Sequence, residues 1–70
     1  MADADRLAAF VAGLPEGKRH RGFFWAAMTA VAEGAATGPI AAAAEQNGLD
    51  REYVERTLAE ARKEHGQSGT

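Results

Sequence analysis

Cysteine is absent from this chain of 70 residues, and tryptophan and tyrosine occur once each. Without cysteine there is no disulfide, no thiolate metal ligand and no cysteine nucleophile, and small secreted domains usually depend on such cross-links. The longest apolar run, residues 23–32, is about half of the roughly 20 residues that a membrane-spanning helix needs. The N-terminal segment carries acids where a signal peptide would carry bases. The sequence therefore predicts a cytoplasmic protein that is neither exported nor inserted into a membrane.

Catalytic machinery is also missing from the pattern of residues. A fold of this size buries only about 60% of the surface that its unfolded chain exposes, and it seldom forms a core and an active-site cleft together. The carboxylates form no isolated apolar pair, and no serine or threonine lies near a histidine and an acid in sequence. His20 and His65 lack the spacing of metal ligands. We therefore expect a single-domain binding or regulatory module with no catalytic residue, metal or cofactor.

Glycine and alanine indicate an all-α fold. Most glycines lie between apolar-periodic segments, alanine is abundant, and the alternation typical of strands is missing. The first helix is expected to begin at Asp3 or Asp5, whose carboxylates can accept hydrogen bonds from first-turn amides, and to end within residues 13–17. The second is predicted over residues 19–33, with Gly34 as a left-handed C-cap. These signals predict a small bundle of three or four helices.

Two of these helices are expected in the C-terminal half. A short helix over residues 39–47 has Pro39 in its first turn, where no amide partner is needed, and Thr37 or Gly38 as its cap. The last helix has Asp50 as its N-cap, and the leucine before it can pack against a valine inside the helix as a hydrophobic staple. The two helices are predicted to form a helix-turn-helix-like hairpin.

The domain limits and the core follow from these helices. Gly66 is expected to end the last helix, so that residues 1–66 form a single helical domain and residues 67–70 a mobile polar tail. The apolar side chains on the inner helix faces are expected to supply the core: Leu7, Phe10, Val11, Leu14, Phe24, Met28, Val31, Ile40, Leu49, Val54 and Leu58.

The hairpin also has the spacing of a DNA-binding helix-turn-helix, with Gly48 four residues after Ala44 and Val54 six residues further on. The spacing has a steric reason, because the helices cross closely at the alanine and the glycine makes the turn. A purely structural hairpin gives the same pattern. The supposed reading helix carries Asp50 and Glu52 near its start, where groove-reading helices usually present basic or amide side chains. The pattern favours the structural hairpin, with the major-groove reader as the alternative.

A basic cluster, Lys18-Arg19-His20-Arg21, stands directly before three aromatic residues in a chain of net charge −2. Cations at a helix N-terminus oppose the helix dipole, so the cluster weakens the helix unless an anion binds there. A phosphate could accept hydrogen bonds from the amides and basic side chains of this turn, with Trp25 available to stack on a base. The alternative is a solvated turn, with an arginine paired to acids of the last helix and the aromatics mostly in the core. The residues alone leave both possibilities open.

Three motifs follow one another along the chain. The segment "GKRH", residues 17–20, opens a helix of large apolar residues and alanines; "AAEQNGLD", residues 43–50, joins two helices; and "TLAE", residues 57–60, precedes Gly66. Their order and spacing over about residues 7–66 resemble the small helical domain that follows the catalytic domain in bifunctional DNA primase/polymerases of plasmids, phages and integrated elements. That family has glycine-x-arginine-asparagine, alanine-alanine with glycine-leucine-acid, and threonine-isoleucine-x-serine at these places.

Two departures from the family's motifs matter, because His20 replaces the asparagine and Glu60 replaces the serine, and each change could alter a polar contact. The family's role implies handling of template DNA or nucleotide during primer synthesis, near Arg19 and the helix after it. Nothing in this chain resembles the family's polymerase active site. The resemblance therefore implies a DNA-binding accessory module of DNA replication, with single-stranded DNA or nucleotide as ligand and a replication protein or parent polymerase domain as partner.

The leading hypothesis is a non-catalytic helical module that binds nucleic-acid backbone or nucleotide phosphate weakly and in a salt-dependent way. Its predicted contact residues are Lys18, Arg19, His20, Arg21 and Trp25. One alternative is a protein–protein adaptor that docks a partner on the acidic fourth helix or on an exposed edge of residues 23–25. The other alternative is the helix-turn-helix regulator.

Overall fold

The fold is a bundle of four α-helices, seen in a computed structural model that describes residues 4–68 and their side chains as far as His65. A short 3₁₀ turn leads directly into the second helix. The elements are α1 (Ala4–Ala12), the 3₁₀ turn (Glu16–Lys18), α2 (Arg19–Glu33), α3 (Gly38–Gln46) and α4 (Arg51–Ser68). No strand occurs among the described residues. The predicted all-α bundle with a C-terminal helical hairpin is confirmed.

Glycines in the left-handed region end two of the helices. Gly34 has φ +74°, and the amide that follows it donates to the carbonyl of Ala30 at 2.8 Å. Gly48 has φ +98°, and the amide that follows it donates to the carbonyl of Ala44 at 3.0 Å. Residues with a Cβ rarely adopt these angles, so each glycine lets the chain leave its helix while the last carbonyls stay bonded. The predicted cap at Gly34 is confirmed.

The predicted helix starts agree closely with the structure. The second helix has the expected bounds, α3 begins one residue early with Pro39 in its first turn, and α4 begins directly after Asp50. Asp5 lies in the first turn of α1, where a carboxylate favours the helix dipole. Asp3, the other expected start, lies outside the described residues. Thr37 is the N-cap residue of α3, as expected, but its side chain makes no capping hydrogen bond.

The predicted end of the last helix is wrong, because α4 continues past Gly66 to Ser68. A glycine inside a helix costs only about 1 kcal/mol relative to alanine, so it does not have to stop one. The expected polar tail is thus helical at its first two residues, and residues 69–70 lie outside the described part. Among the helices of residues 4–68, none has both the length and the apolar composition that crossing a membrane requires.

The helices pack in pairs around one core. The first helix lies mainly against α3, and α2 lies mainly against α4. Most of the predicted core is confirmed, with Leu14, Met28 and Val31 partly buried against it. Small residues contribute much of the rest, since alanines let helix backbones approach closely. The buried apolar residues are Leu7, Val11, Phe23, Ala26, Ala27, Ala30, Ile40, Ala43, Ala44, Leu49, Val54, Leu58 and Ala61.

Two aromatic residues predicted for the core lie at the surface instead. Phe24 and Phe10 are each 44% exposed, whereas the neighbouring Phe23 is completely buried. On α2 the buried face is formed by Phe23 and three alanines rather than by Phe24 and Met28. The prediction assumed that the largest apolar side chains point inwards, but small residues at helical spacing form an equally continuous face and allow closer packing. The assignment of Phe24 and Phe10 to the core is therefore wrong.

Asn47, the residue after α3, ties the C-terminal end of α1 to the hairpin. Its side-chain amide nitrogen, Nδ2, donates to the carbonyls of Val11 at 2.9 Å and Leu14 at 3.0 Å, and the site is partly buried. Carbonyls at the end of a helix lack partners within the helix and accept from donors outside it. The Val11 carbonyl, in the last turn of α1, also accepts from the Leu14 amide at 3.2 Å. One side chain thus holds the segment between α1 and α2, which includes Leu14, against the hairpin.

Replacing Asn47 with alanine is expected to lower the free energy of unfolding by about 1–3 kcal/mol, because the Leu14 carbonyl loses the Asn47 donor and the Val11 carbonyl keeps only the Leu14 amide, 3.2 Å away. Urea unfolding followed by circular dichroism measures this change. Gln46→Ala is the matched control, since Gln46 is an exposed amide side chain one position earlier. If both variants unfold at the same urea concentration, the two hydrogen bonds contribute nothing to the fold.

Candidate nucleic-acid interface

The basic cluster at the start of α2 is divided between two sides of that helix. Lys18 and Arg21 lie on the side that faces α1, whereas Arg19 and His20 lie towards α4 and the turn before it. An α-helix has 3.6 residues per turn, so residues three apart, such as Lys18 and Arg21, lie on one side. Of the predicted contact residues, the structure brings together Lys18, Arg21 and Trp25.

These three residues line an open cleft of about 390 Å³ between α1 and the start of α2. Lys18, Arg21 and Trp25 are all exposed to solvent. Long basic side chains commonly cover apolar surface with their stems while the charged end stays in water. The cleft therefore combines an apolar interior with positive charge at its edge. Its remaining lining comes from Phe10, Leu14 and Gly22.

The rings of Phe10 and Trp25 form an aromatic corner inside this cleft. Their centroids are 5.3 Å apart and their planes meet at 68°, an edge-to-face contact. Both rings remain accessible, with Trp25 53% exposed. Edge-to-face pairs are favourable in themselves, so the corner is held in place without a ligand.

The floor of the cleft depends on a glycine within α2. A Cβ at Gly22 would stand 2.4 and 2.6 Å from the two methyl carbons of Leu14, so Leu14 lies directly against the helix backbone there. The sequence prediction did not include Phe10, Leu14 or Gly22 in the site. A lone glycine inside a helical pattern often marks such a close approach, and this was the available signal.

Arg19 contacts the turn between α3 and α4 rather than the cleft. A Cβ at Gly48 would be 2.6 Å from its Nη1, and its Nη2 lies 3.4 Å from a carboxylate oxygen of Glu16. The side chain is 23% exposed, and its Nε is buried without a hydrogen-bond partner. Arg19 thus joins the start of α2 to the hairpin and presents only part of its guanidinium to solvent. The predicted pairing of an arginine with acids of α4 is replaced, for Arg19, by a contact within its own turn.

His20 also contacts α4. Its ring lies 4.6 Å from the ring of Tyr53, with an angle of 73° between the planes. The Tyr53 hydroxyl donates to the carbonyl of His20 at 3.4 Å, and the Tyr53 ring lies 6.2 Å from that of buried Phe23. His20 is exposed, but its position is set by helix packing on the side away from the cleft. A phosphate held at Lys18 and Arg21 would therefore not meet His20 on the same helix face.

The solvent-facing side of α2 continues beyond the cleft as an apolar stripe. Phe24 is exposed next to Trp25, and Met28 is partly buried one turn later. The exposed edge that was expected at residues 23–25 therefore consists of Phe24 and Trp25, and Phe23 does not take part. The surface of α2 thus presents larger apolar side chains than its buried face, apart from Phe23.

The described residues of the α3–α4 hairpin give no specific support for α4 as a recognition helix in the DNA major groove. Its four-residue turn contains Gly48, and α4 packs along α2. Arg51 and Glu55, both exposed on the first turns of α4, form an ion pair with Nε and Oε2 3.7 Å apart. A reading helix presents uncompensated donors to base edges. The major-groove reader stays a prediction, and the structural role of the hairpin is visible in the packing.

Within residues 4–68, no group of three or more histidine, cysteine, aspartate or glutamate side chains is arranged to hold a metal ion. Models of protein families, curated proteins and solved structures give no match to this chain. The resemblance to the primase/polymerase helical domain therefore remains a prediction from its motifs.

Proposed function

We propose that the protein is a non-catalytic cytoplasmic module that binds single-stranded nucleic acid through the cleft between α1 and α2. The observation that carries this proposal is the meeting of two exposed aromatic rings, Phe10 and Trp25, with two cations, Lys18 and Arg21. None of the described residues that line the cleft is acidic. Proteins that hold single strands without sequence preference use this combination, in which rings stack on bases and cations follow the phosphates.

The aromatic corner favours a single strand over a duplex. In a duplex the base faces are stacked on one another, so a side-chain ring cannot reach them without unstacking a base pair. Binding through backbone phosphates alone is disfavoured, because the protein carries a net charge of −2 and the cleft supplies two cations. The stacking contact is therefore the part of the site that selects the ligand.

The resemblance described above is compatible with this activity. A module that holds a single strand would serve template handling beside a replication protein or a parent polymerase domain, which is what the resemblance implies. The lining of the cleft changes which of the predicted residues are proposed as the main contacts. Lys18, Arg21 and Trp25 become the main contacts, whereas Arg19 and His20 are placed for helix packing.

We expect affinity for a short labelled oligothymidylate to fall with added salt, with a slope in log K against log salt of roughly −1.4. This value corresponds to two neutralised phosphates at about −0.7 each on a single strand. Lys18→Ala and Arg21→Ala should each halve the slope, because each removes one cation from the cleft. Fluorescence anisotropy at several salt concentrations measures affinity and slope together.

Lys63→Ala is the matched control for Lys18→Ala, because it removes the same charge from an exposed position near the far end of α4. It should leave the slope unchanged. Arg51→Ala tests the helix-turn-helix alternative, which predicts duplex binding that depends on α4 instead. Equal slopes for the parent protein and for both cleft variants would contradict the proposal.

A second candidate function, the protein–protein adaptor, is favoured by one observation. Phe24 is exposed outside the cleft and continues the apolar stripe of α2. An adaptor that uses this stripe would lose its partner in a Phe24→Ala variant. The strand-binding module should be indifferent to the same change, because Phe24 does not line the cleft.

A further inference from the structure

We infer that the cleft takes one nucleobase together with the phosphate attached to it, so that a single 5′-mononucleotide is a sufficient ligand. This inference rests on the proposed function, since it concerns the same site, but it names the smallest unit that the site recognises. The shared chemistry is a flat base next to a phosphate. Its source can be a strand or the free nucleotide.

The size of the cleft limits it to a small ligand. Its volume of about 390 Å³ lies near the lower end of the range, roughly 300–1,000 Å³, that small-molecule sites occupy. A groove that tracks several nucleotides needs a series of stacking side chains along its length. Here the described lining offers one aromatic corner, Phe10 with Trp25. One base therefore fills the available stacking surface.

The walls of the cleft recognise the flat face of a base rather than its hydrogen-bonding edge. The interior is formed by Phe10, Trp25 and Leu14, with the backbone at Gly22 closing the floor. Among these side chains only Trp25, through its indole N–H, can hydrogen-bond to a base. Stacking strength then decides affinity, so a purine, which has the larger ring system, should bind more tightly than a pyrimidine.

Two cationic residues, Lys18 and Arg21, line the same cleft as the aromatic corner. Lys18, the last residue of the 3₁₀ turn, and Arg21, in the first turn of α2, lie three residues apart, and Trp25 follows Arg21 by one further helical turn. A terminal phosphate is close to doubly charged near pH 7, so two neighbouring cations match it. Stacking and charge pairing thus act on the two ends of the same nucleotide.

The parent protein alone tests this inference with four probes: adenosine 5′-monophosphate, adenosine, ribose 5-phosphate and inorganic phosphate. The chain contains one tryptophan, so the indole N–H resonance in a two-dimensional NMR spectrum reports on the cleft without ambiguity. The monophosphate should shift this resonance in a saturable way in the millimolar range. Adenosine lacks the phosphate and ribose 5-phosphate lacks the base, so each should bind at least about tenfold more weakly than the monophosphate.

A Gly22→Ala variant alters the floor while keeping every ring and every charge. Its new methyl group would stand 2.4 Å from a methyl carbon of Leu14, so Leu14, which lines the cleft, must shift. Affinity for adenosine 5′-monophosphate should fall about tenfold, as expected when an apolar pocket is partly filled. Gly38→Ala is the control, because a Cβ there meets nothing within 4 Å. If Gly22→Ala does not fold, the four-probe series on the parent protein still decides the question.

A parallel titration with oligodeoxyadenylate separates this inference from the proposed function. If both the strand and the monophosphate shift the indole N–H resonance of Trp25, the proposed function and the one-base inference are both supported. If the strand binds at the cleft but the monophosphate has no effect, the one-base inference alone is overturned. The same holds if the strand binds there and a folded Gly22→Ala variant binds the monophosphate as tightly as the parent protein does. Binding of the monophosphate without the strand would identify the free nucleotide as the source and overturn the proposed function. No shift with either ligand would overturn both.

Discussion

Phe23→Ala is expected to lower the free energy of unfolding by about 3–5 kcal/mol, the usual range for truncation of a buried aromatic side chain. Phe23 is completely buried, is among the largest of the fully buried side chains, and lies against the ring of Tyr53 on α4. Its neighbours on the buried face of α2 are alanines, which are too short to fill the space that the ring would leave. A domain of this size has a total stability of only about 4–10 kcal/mol at the usual 0.05–0.15 kcal/mol per residue. The variant should therefore be partly or largely unfolded at room temperature.

Phe24→Ala provides the matched control, because it makes the same substitution at the next position. Phe24 is 44% exposed, so its truncation should cost less than about 1 kcal/mol. Thermal and urea unfolding, followed by circular dichroism, measure both variants. The reverse ranking, with Phe24→Ala unfolded and Phe23→Ala close to the parent protein, would mean that α2 is rotated relative to the core described here.

The boundaries of the helices were predictable because their signals are local. Gly34 acts through its left-handed backbone angle and Pro39 through its fit to the first turn of a helix, and those properties do not depend on the rest of the fold. Gly66 shows the limit of this reasoning. Its effect on the helix is small enough for α4 to continue to Ser68.

The rotation of α2 was not predictable from its periodicity. The helix carries two apolar faces, one of large residues around Phe24 and Met28 and one of Phe23 with small alanines. Both have helical spacing, and the choice between them depends on how closely neighbouring helices approach. That distance is set by tertiary packing, including alanines on α3 and α4, which a pattern within one helix does not contain.

The candidate site was predictable only in part for the same reason. The basic cluster and Trp25 are visible in the sequence, but their division between two sides of α2 follows from its rotation. Phe10 and Leu14 join the cleft through contacts with the start of α2 that no local motif encodes. The hydrogen bonds from Asn47 to the carbonyls of Val11, in the last turn of α1, and Leu14, after it, are equally non-local, since they join residues more than 30 positions apart.

Trp25→Ala is expected to weaken single-strand binding by about 5- to 140-fold. This range corresponds to the roughly 1–3 kcal/mol that one stacked base contributes in alanine substitutions. Trp25 is 53% exposed and packs edge-to-face on Phe10, so its removal takes away half of the aromatic corner without opening the core. The change keeps Lys18 and Arg21, so the salt dependence of the remaining binding should stay at the parent's value.

Anisotropy of a labelled oligothymidylate, titrated at low salt with the parent protein, Trp25→Ala and Phe24→Ala, tests the central claim most directly. Phe24 is the matched control, since it is an exposed aromatic one position earlier on α2 that does not line the cleft. If the cleft is the binding site, Trp25→Ala should lose much of its affinity and Phe24→Ala none. Circular dichroism should show that both variants are folded. Equal affinities for all three proteins, or an equal loss in both variants, would contradict it.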